Sequence, residues 1–123
     1  MRPENSVPPS PRGNPYLSTA SGLLKVLDRL RNLHQDMTLL QAMTLLYVAQ
    51  NPDASQRVLH TSIGASDSVT ARTLAILTNV GGRNVAPLGL VISEMNEEDR
   101  RERVLNLSPK GRKLLDDIVR DLS

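Results

Sequence analysis

The sequence predicts a mainly α-helical fold with a small β-hairpin, the α+β arrangement of a winged helix-turn-helix. Four stretches of helical periodicity are followed by two short runs of β-type residues and by one more helical stretch. A tight turn at Gly64-Ala65 separates the third and fourth helical stretches, which is the spacing of a helix-turn-helix. The two β-type runs flank a loop rich in charged residues, so the hairpin is expected to form the wing.

Two helices are predicted before the helix-turn-helix. The first covers about residues 17–35, where apolar residues recur at helical spacing at Leu23, Leu24, Val26, Leu27, Leu30 and Leu33. The second follows Thr38, which is expected to form a capping box with Gln41, and it ends at Asn51-Pro52 because the residue before proline is disfavoured in a helix. Its predicted apolar face consists of Leu39, Leu40, Met43, Leu46 and Tyr47.

The helix-turn-helix is predicted over residues 55–78. Its first helix ends at Gly64, a residue that favours the left-handed conformation found after a helix C-terminus. Its second helix begins near Ser66, with Asp67 as the expected N-cap. The core-facing residues of this second helix are expected to be Val69, Thr73, Leu74 and Leu77. Its outward residues are then Ser68, Ala71, Arg72 and Ala75.

The wing and a last helix follow. Residues 90–92 and 104–107 are β-branched or leucine-rich, and the loop of residues 96–102 between them is almost entirely charged. Ser108 is an expected N-cap, and a proline follows it at the first helical position. The apolar stripe of the last helix consists of Leu114, Leu115, Ile118, Val119 and Leu122.

Composition excludes several classes of protein. The chain of 123 residues carries a net charge of +2, has no Cys, Phe or Trp, and has two Tyr as its only aromatic residues. Without cysteine there is no disulfide and no thiolate chemistry. Two aromatic side chains offer little on which unpaired bases could stack. If the chain binds nucleic acid, the expected target is therefore a duplex.

The chain divides into a tail and one domain. Residues 1–15 contain five prolines and little apolar surface, which predicts a disordered tail. Residues 16–123 are predicted to form the winged helix-turn-helix domain with its terminal helices. Neither a membrane-spanning run nor a secretory leader is recognisable, so we expect a cytoplasmic protein that does not contact membranes and that joins the nucleoid when it binds DNA.

The wing and the helix after it resemble the MarR family of bacterial transcriptional regulators. In that family an Asp-Arg-Arg at the wing tip is followed by an apolar strand that ends in Leu-Ser or Leu-Thr, and then by a helix that opens with Pro-Lys-Gly-Arg. The sequence has Asp99-Arg100-Arg101, Leu107-Ser108 and Pro109-Lys110-Gly111-Arg112 in the same register. A looser resemblance extends upstream to about Leu39, with residues 66–77 similar to the family's recognition helix.

Three features depart from the family pattern. Residues 78–88 are inserted between the recognition helix and the Gly89-Leu90-Val91 that starts the wing. The chain is short before its first helix, and it has one helix after the wing where the family has two. A shortened version carried on a phage or plasmid is one interpretation. The family dimerises through its terminal helices, where this chain is shortened. We nevertheless expect a homodimer, because so small a monomer cannot easily bury the apolar surface offered by Leu23, Leu27, Leu30, Leu115, Ile118 and Leu122.

Contacts with duplex DNA are predicted on the recognition helix. Arg72 is the expected base reader, because a guanidinium can bind guanine O6 and N7 together. Ser66 and Ser68 are expected to contact phosphates or bases at the start of the helix, and Ala71 lies on the same outward face. The alternative for Arg72 is a surface salt bridge.

The wing is the second predicted contact with DNA, through Arg100, Arg101 and Arg103. The resemblance implies that Asp99 braces Arg101 or Arg103 and that Arg100 or Arg101 enters the minor groove. On charge count alone the alternative is a solvated loop without a partner.

The leading hypothesis is a sequence-specific regulator of transcription, a repressor, that binds double-stranded DNA. The alternative is a winged helix that serves as a protein-interaction module, for instance a phage protein that binds a host factor. The balance of six arginines against seven acidic residues between residues 53 and 108 supports this alternative. A repressor that senses a small-molecule effector also follows from the family, although no polar cluster identifies the effector. No enzymatic activity, cofactor or metal site is expected, since His34 and His60 stand far apart and no catalytic motif is recognisable.

Overall fold

The computed structural model describes residues 13–123, so nearly all of the tail predicted over residues 1–15 lies outside the described residues. The helices of this range are α1 (Leu17–Leu33), α2 (Leu39–Gln50), α3 (Gln56–Ser62), α4 (Asp67–Leu77) and α5 (Pro109–Leu122). The strands are β1 (Ala54–Ser55), β2 (Val91–Met95) and β3 (Arg103–Leu107). The predicted fold class is confirmed. The short strand β1 is an element that the sequence did not predict.

The three strands form one antiparallel sheet in the order β1-β3-β2. β2 and β3 make the wing hairpin, with Val91 opposite Leu107 at its base. β1 adds two residues on the other side of β3, where Ala54 lies opposite Leu105. Because Leu105 is fully buried, β3 anchors the wing in the core, and the hairpin does not have to be stable alone.

Two predicted helix starts are settled by their caps. At α2, the Thr38 backbone N–H donates to Gln41 Oε1 at 3.1 Å, and the Gln41 N–H donates to Thr38 Oγ1 at 3.0 Å, so the capping box is confirmed. At α4, Ser66 is the N-cap and accepts from the Val69 N–H. The prediction that Asp67 caps α4 is wrong, because Ser66 occupies the extended position before the helix. The Asp67 carboxylate instead lies 3.3 Å from His60 Nε2.

The orientation of α2 differs from the prediction. Its buried residues are Ala42, Thr44, Leu45 and Val48, whereas Leu39 and Met43 of the predicted face are 76% and 51% exposed. Thr44 can be fully buried because its hydroxyl donates to the Leu40 carbonyl at 2.7 Å, which satisfies the polar group within the helix. Nearly every position of α2 is apolar, so periodicity alone left its rotation open.

The start of α5 is fastened to the segment before β2. Ser108 Oγ donates to the Gly89 carbonyl at 2.6 Å and accepts from the Gly111 N–H at 3.0 Å. Lys110 Nζ donates to the Leu88 carbonyl at 2.8 Å. A Cβ added at Gly111 would lie 2.1 Å from the Leu90 carbonyl oxygen. The Ser-Pro-Lys-Gly sequence therefore allows the start of α5 to pack directly against the core.

An ion pair joins the two terminal helices. Arg29 on α1 donates from Nε and Nη2 to both carboxylate oxygens of Asp121 on α5, at 2.7 and 2.9 Å, and its Nη1 lies 3.5 Å from Asp117. The hydrogen bonds from Arg29 hold the pKa of Asp121 below its usual value, and the same contact raises the pKa of Arg29. The packing of α1 on α5 therefore depends on an ionised carboxylate.

This ion pair predicts a pH dependence of stability. A carboxylate with a lowered pKa in the folded state stabilises the fold above its unfolded pKa, and that contribution is lost as pH falls through the lowered value. Asp121→Asn is expected to reduce the free energy of unfolding at neutral pH, and its difference from wild type should shrink below about pH 4. Urea denaturation across this range measures the effect. Asp116→Asn is the control, since Asp116 is exposed and no ion pair involves it within residues 13–123. A difference from wild type that stays constant with pH would contradict the prediction.

Candidate nucleic-acid interface

The outward strip of α4 is the centre of the candidate interface. Ser68, Ala71 and Arg72 are all exposed, and Ser66 stands exposed at the N-cap. Ser66 Oγ and Ser68 Oγ share a hydrogen bond of 3.3 Å. No ion pair or side-chain hydrogen bond involves Arg72 within residues 13–123. The strip therefore ends in a guanidinium whose donors face solvent.

The opposite face of α4 supports this strip. Its buried residues are Thr70, Thr73, Leu74, Ile76 and Leu77. Val69, Thr73, Leu74 and Leu77 were predicted to face the core. The last three are buried, whereas Val69 is half-buried. The Thr70 Oγ1 atom is buried without a hydrogen-bond partner among residues 13–123, and no local sequence pattern predicts this unsatisfied group.

A network of backbone and side-chain hydrogen bonds organises the wing tip. Asp99 Oδ1 accepts from the Arg101 backbone N–H at 3.1 Å and from Arg101 Nε at 3.3 Å. The Glu102 N–H donates to the Asp99 carbonyl, and the Asn96 N–H donates to the Glu102 carbonyl. Asp99 thus holds Arg101 in place, which selects one of the two partners that the resemblance left open.

The three wing arginines have different surroundings. Arg103 Nε donates to Ser93 Oγ at 2.8 Å, and its Nη2 donates to the Ser93 carbonyl at 2.7 Å, so this side chain lies along β2. Arg101 is engaged by Asp99. Arg100 is exposed, and no ion pair or side-chain hydrogen bond involves it within the described part of the chain. Arg100 is therefore the wing arginine with all of its donors free of partners in that range, whereas Arg101 has its Nε engaged.

A cleft of about 370 Å³ separates the wing from the helix-turn-helix. It is lined from the helices by Arg57, His60, Asp67 and Ala71, and from the wing by Arg101, Glu102 and Arg103. Arg57 Nη2 lies 3.6 Å from Glu102 Oε2 across it. The two acidic residues of the cleft thus each lie close to a basic side chain, Glu102 to Arg57 and Asp67 to His60. The contact between Arg57 and Glu102 could not be predicted, because 45 positions separate the two residues in the chain.

The inserted residues 78–88 fold beside α4 on its other side. The Leu88 N–H donates to the Ile76 carbonyl at 2.8 Å. Gly82 and Val85 exchange two backbone hydrogen bonds, at 3.0 and 3.2 Å, and Arg83-Asn84 forms the turn between them. We call residues 81–85 the insertion hairpin.

A groove of about 510 Å³ lies between the insertion hairpin, α4 and the start of α2. Arg72 lines it from α4 and Arg83 from the insertion hairpin, and no acidic residue among residues 13–123 lines it. Arg83 is exposed, and no ion pair or side-chain hydrogen bond involves it within residues 13–123. Arg83 was absent from the predicted site because the sequence did not show where the insertion lies.

A cavity of about 460 Å³ lies between α1 and α5. It carries Arg29, Lys110 and Lys113, but these cations have partners within the chain: Asp121, the Leu88 carbonyl and Asp117, respectively. The cavity therefore does not identify the chemistry of an effector.

The fold and its exposed α4 define a winged helix-turn-helix, and solved structures give its type. The sequence matches no protein-family model and no curated protein. A complex of S. aureus MepR with DNA is 16% identical, with a TM-score of 0.66 over 86% of this chain and 80% of that one. MarR is 25% identical, with a TM-score of 0.58 over 83% of this chain and 74% of that one. The repressor CouR, bound to a 23-mer DNA duplex, is 22% identical, with a TM-score of 0.58 over 85% of this chain and 70% of that one.

These similarities show that the chain has the winged helix fold of MarR-type regulators. The resemblance predicted from the wing sequence is confirmed at the level of fold. No helix between residues 13 and 123 is both long enough and apolar enough to cross a bilayer.

Proposed function

We propose that this protein is a transcriptional regulator, a repressor, that binds double-stranded DNA sequence-specifically as a homodimer. The recognition helix α4 enters the major groove, where Arg72 reads a base and Ser66 and Ser68 contact the backbone or base edges at the start of the helix. The wing follows the neighbouring minor groove, and Arg100 is its groove contact.

The observation that carries this proposal is the state of Arg72. It is an exposed guanidinium in the middle of α4, without an ion pair in the described part of the chain, and it stands between the wing and the insertion hairpin. Arg57 and Arg101, by contrast, are each engaged by a carboxylate of the wing. That two of the solved structures with this fold contain DNA supports the same assignment.

A binding experiment tests the proposal directly. Selection of a preferred site from random duplexes, followed by fluorescence anisotropy at several salt concentrations, is expected to give specific binding at least about 1,000-fold tighter than binding to random duplex. Both affinities should fall steeply with salt. Failure to bind any duplex at low salt would overturn the proposal and leave the protein-interaction module as the alternative.

The wing is expected to contribute charge more than sequence readout. Because its partners are phosphates and minor-groove acceptors, which carry a degenerate code, replacing Arg100 and Arg101 together with alanine should weaken binding to specific and random duplexes alike. The salt dependence should flatten by up to about two ion equivalents. Arg103→Ala serves as a comparison, since Arg103 is held by Ser93. A loss confined to the specific site would contradict this division.

The proposed homodimer uses the apolar surface of the terminal helices. Leu23, Leu24 and Leu27 on α1 are 50%, 69% and 54% exposed, and Val119 and Leu122 on α5 are 62% and 57% exposed. The predicted interface was wrong in two residues, because Leu30 and Ile118 are 3% and 4% exposed and belong to the core. Leu115 is half-buried. Two copies joined through α1 and α5 would present two α4 helices. To enter successive major grooves on one side of a duplex, these helices would have to lie about 34 Å apart.

Replacing Leu23 and Leu27 together with glutamate is expected to convert a dimer into a monomer at tens of micromolar. Both side chains are half-exposed in the single chain, so the fold should persist by circular dichroism while light scattering reports the mass of one 13.5 kDa chain. Leu39→Glu is the control, since Leu39 is an exposed leucine on α2. A monomeric wild type would remove the dimer from the proposal.

A further inference from the structure

The two sides of α4 carry different charge. The cleft toward the wing contains Asp67 and Glu102 beside its basic residues. The groove toward the insertion hairpin contains Arg72 and Arg83 and, among the residues that the structure describes, no acidic residue. The near balance of charge seen in the sequence is therefore unevenly distributed, and the insertion side is positive.

These two cavities lie on opposite sides of the exposed strip. At about 100° per residue, Asp67, Thr70 and Ala71, which line the wing cleft, point to one side of α4. Arg72, Thr73 and Ile76, which line the groove, point to the other. A helix in a major groove of about 12 Å has a phosphate strand on each side. The wing side and the insertion side therefore face different strands.

The insertion hairpin packs closely against α4. The Gly81 N–H donates to the Ala75 carbonyl at 2.7 Å. Gly81 has φ +82, and a Cβ there would lie 2.9 Å from the Val85 carbonyl oxygen. A Cβ at Gly82 would lie 2.9 Å from Ile76 Cδ1. This close approach restrains the backbone of the turn that carries Arg83, so mainly the side chain of Arg83 would lose conformational entropy when its guanidinium meets a ligand.

We infer that the insertion hairpin is a phosphate-contacting element, in which Arg83 binds the DNA strand on the side of α4 away from the wing. The inference rests on the proposed function, since it assigns a further contact to the same DNA interface. A guanidinium suits this role because it binds phosphate oxygens with paired hydrogen bonds. Arg83 would add affinity without sequence information, because phosphates are the same at every base pair.

Arg83→Ala tests the inference in the full chain. Binding to the selected site and to a labelled random-sequence duplex should weaken equally, by roughly tenfold at about 0.1 M salt, and the slope of log K against log salt should fall by about one. Arg83→Lys should restore the slope, since it keeps the charge. Gly81→Ala should reproduce the effect of Arg83→Ala, because it displaces the turn and leaves the arginine in place.

Arg112→Ala is the matched control. Arg112 is also exposed and lacks an ion pair within the described residues. It lies on α5, which begins after the end of β3 that is distant from the wing tip. If the wild-type protein binds duplex DNA and the affinities of Arg83→Ala and Arg112→Ala do not differ, the inference is overturned and the proposed function still stands. A loss confined to the selected site would also overturn it, because it would make Arg83 a base reader. Wild-type protein that binds no duplex would overturn both.

Discussion

Gly111→Ala is expected to destabilise the domain by at least the upper end of the ~1–3 kcal/mol that overpacking usually costs. The new Cβ would lie 2.1 Å from the Leu90 carbonyl oxygen and 3.1 Å from its carbon. Neither side can yield easily, because Leu90 is fully buried and its carbonyl accepts from the Ser108 N–H at 2.9 Å. For a domain of about this size, 3 kcal/mol corresponds to a fall in Tm of roughly 10 °C or more.

Gly64→Ala is the matched control for this prediction. Gly64 has φ +70, but a Cβ there would meet nothing within 4 Å, so its cost is the backbone strain of about 1 kcal/mol for a non-glycine residue in the left-handed region. Thermal unfolding followed by circular dichroism compares the two variants. An equal loss of Tm in both would show that α5 can shift away from Leu90.

The second large effect is expected at Arg72. Loss of a bidentate contact to a base should weaken the selected site by about 1–3 kcal/mol, which is roughly 5- to 150-fold, while binding to random duplex barely changes. Arg72→Ala measured by anisotropy on both duplexes tests this. Since α4 packs through its opposite face, the variant is expected to fold normally.

Arg72→Lys separates readout from charge. Lysine keeps the positive charge but lacks the planar pair of donors, so it should lose most of the discrimination and retain the salt dependence. Equal losses on specific and random duplexes would instead make Arg72 a backbone contact. If neither variant changes DNA binding, the outward face of α4 is not the functional surface, and the protein-interaction module becomes the better explanation.

Local signals predicted the helix boundaries well. The box between Thr38 and Gln41 and the stop at Gly64 depend on side chains within four residues of each other, so the sequence contains what determines them. The choice between Ser66 and Asp67 as the cap failed because both residues suit that position, and the backbone conformation decides between them. The wing was predicted from its charged loop, whereas β1 has only two residues and leaves no periodicity to detect.

Features that depend on distant contacts could not be predicted in the same way. The rotation of α2 is set by what it packs against, namely α4 and β3, and an apolar helix fits more than one rotation. The outward orientation of Ser68, Ala71 and Arg72 could be predicted, because these residues share one helix. The position of Arg83 depends on hydrogen bonds between residues 78–88 and the carbonyls at the end of α4, and no local pattern encodes that docking.

The hydrogen-bonded wing tip has a consequence for the thermodynamics of binding. The loop closed by Asn96 and Glu102 and the turn centred on Asp99 already hold one backbone conformation in the free protein. Ordering a flexible loop would otherwise cost about 1–2 kcal/mol for each residue fixed. On the proposed function, association would have to immobilise little more than the Arg100 side chain, a cost of about 0.5–1.5 kcal/mol. The wing would then bind as a preorganised element, and most of the free energy of its contacts with a groove would appear in the affinity.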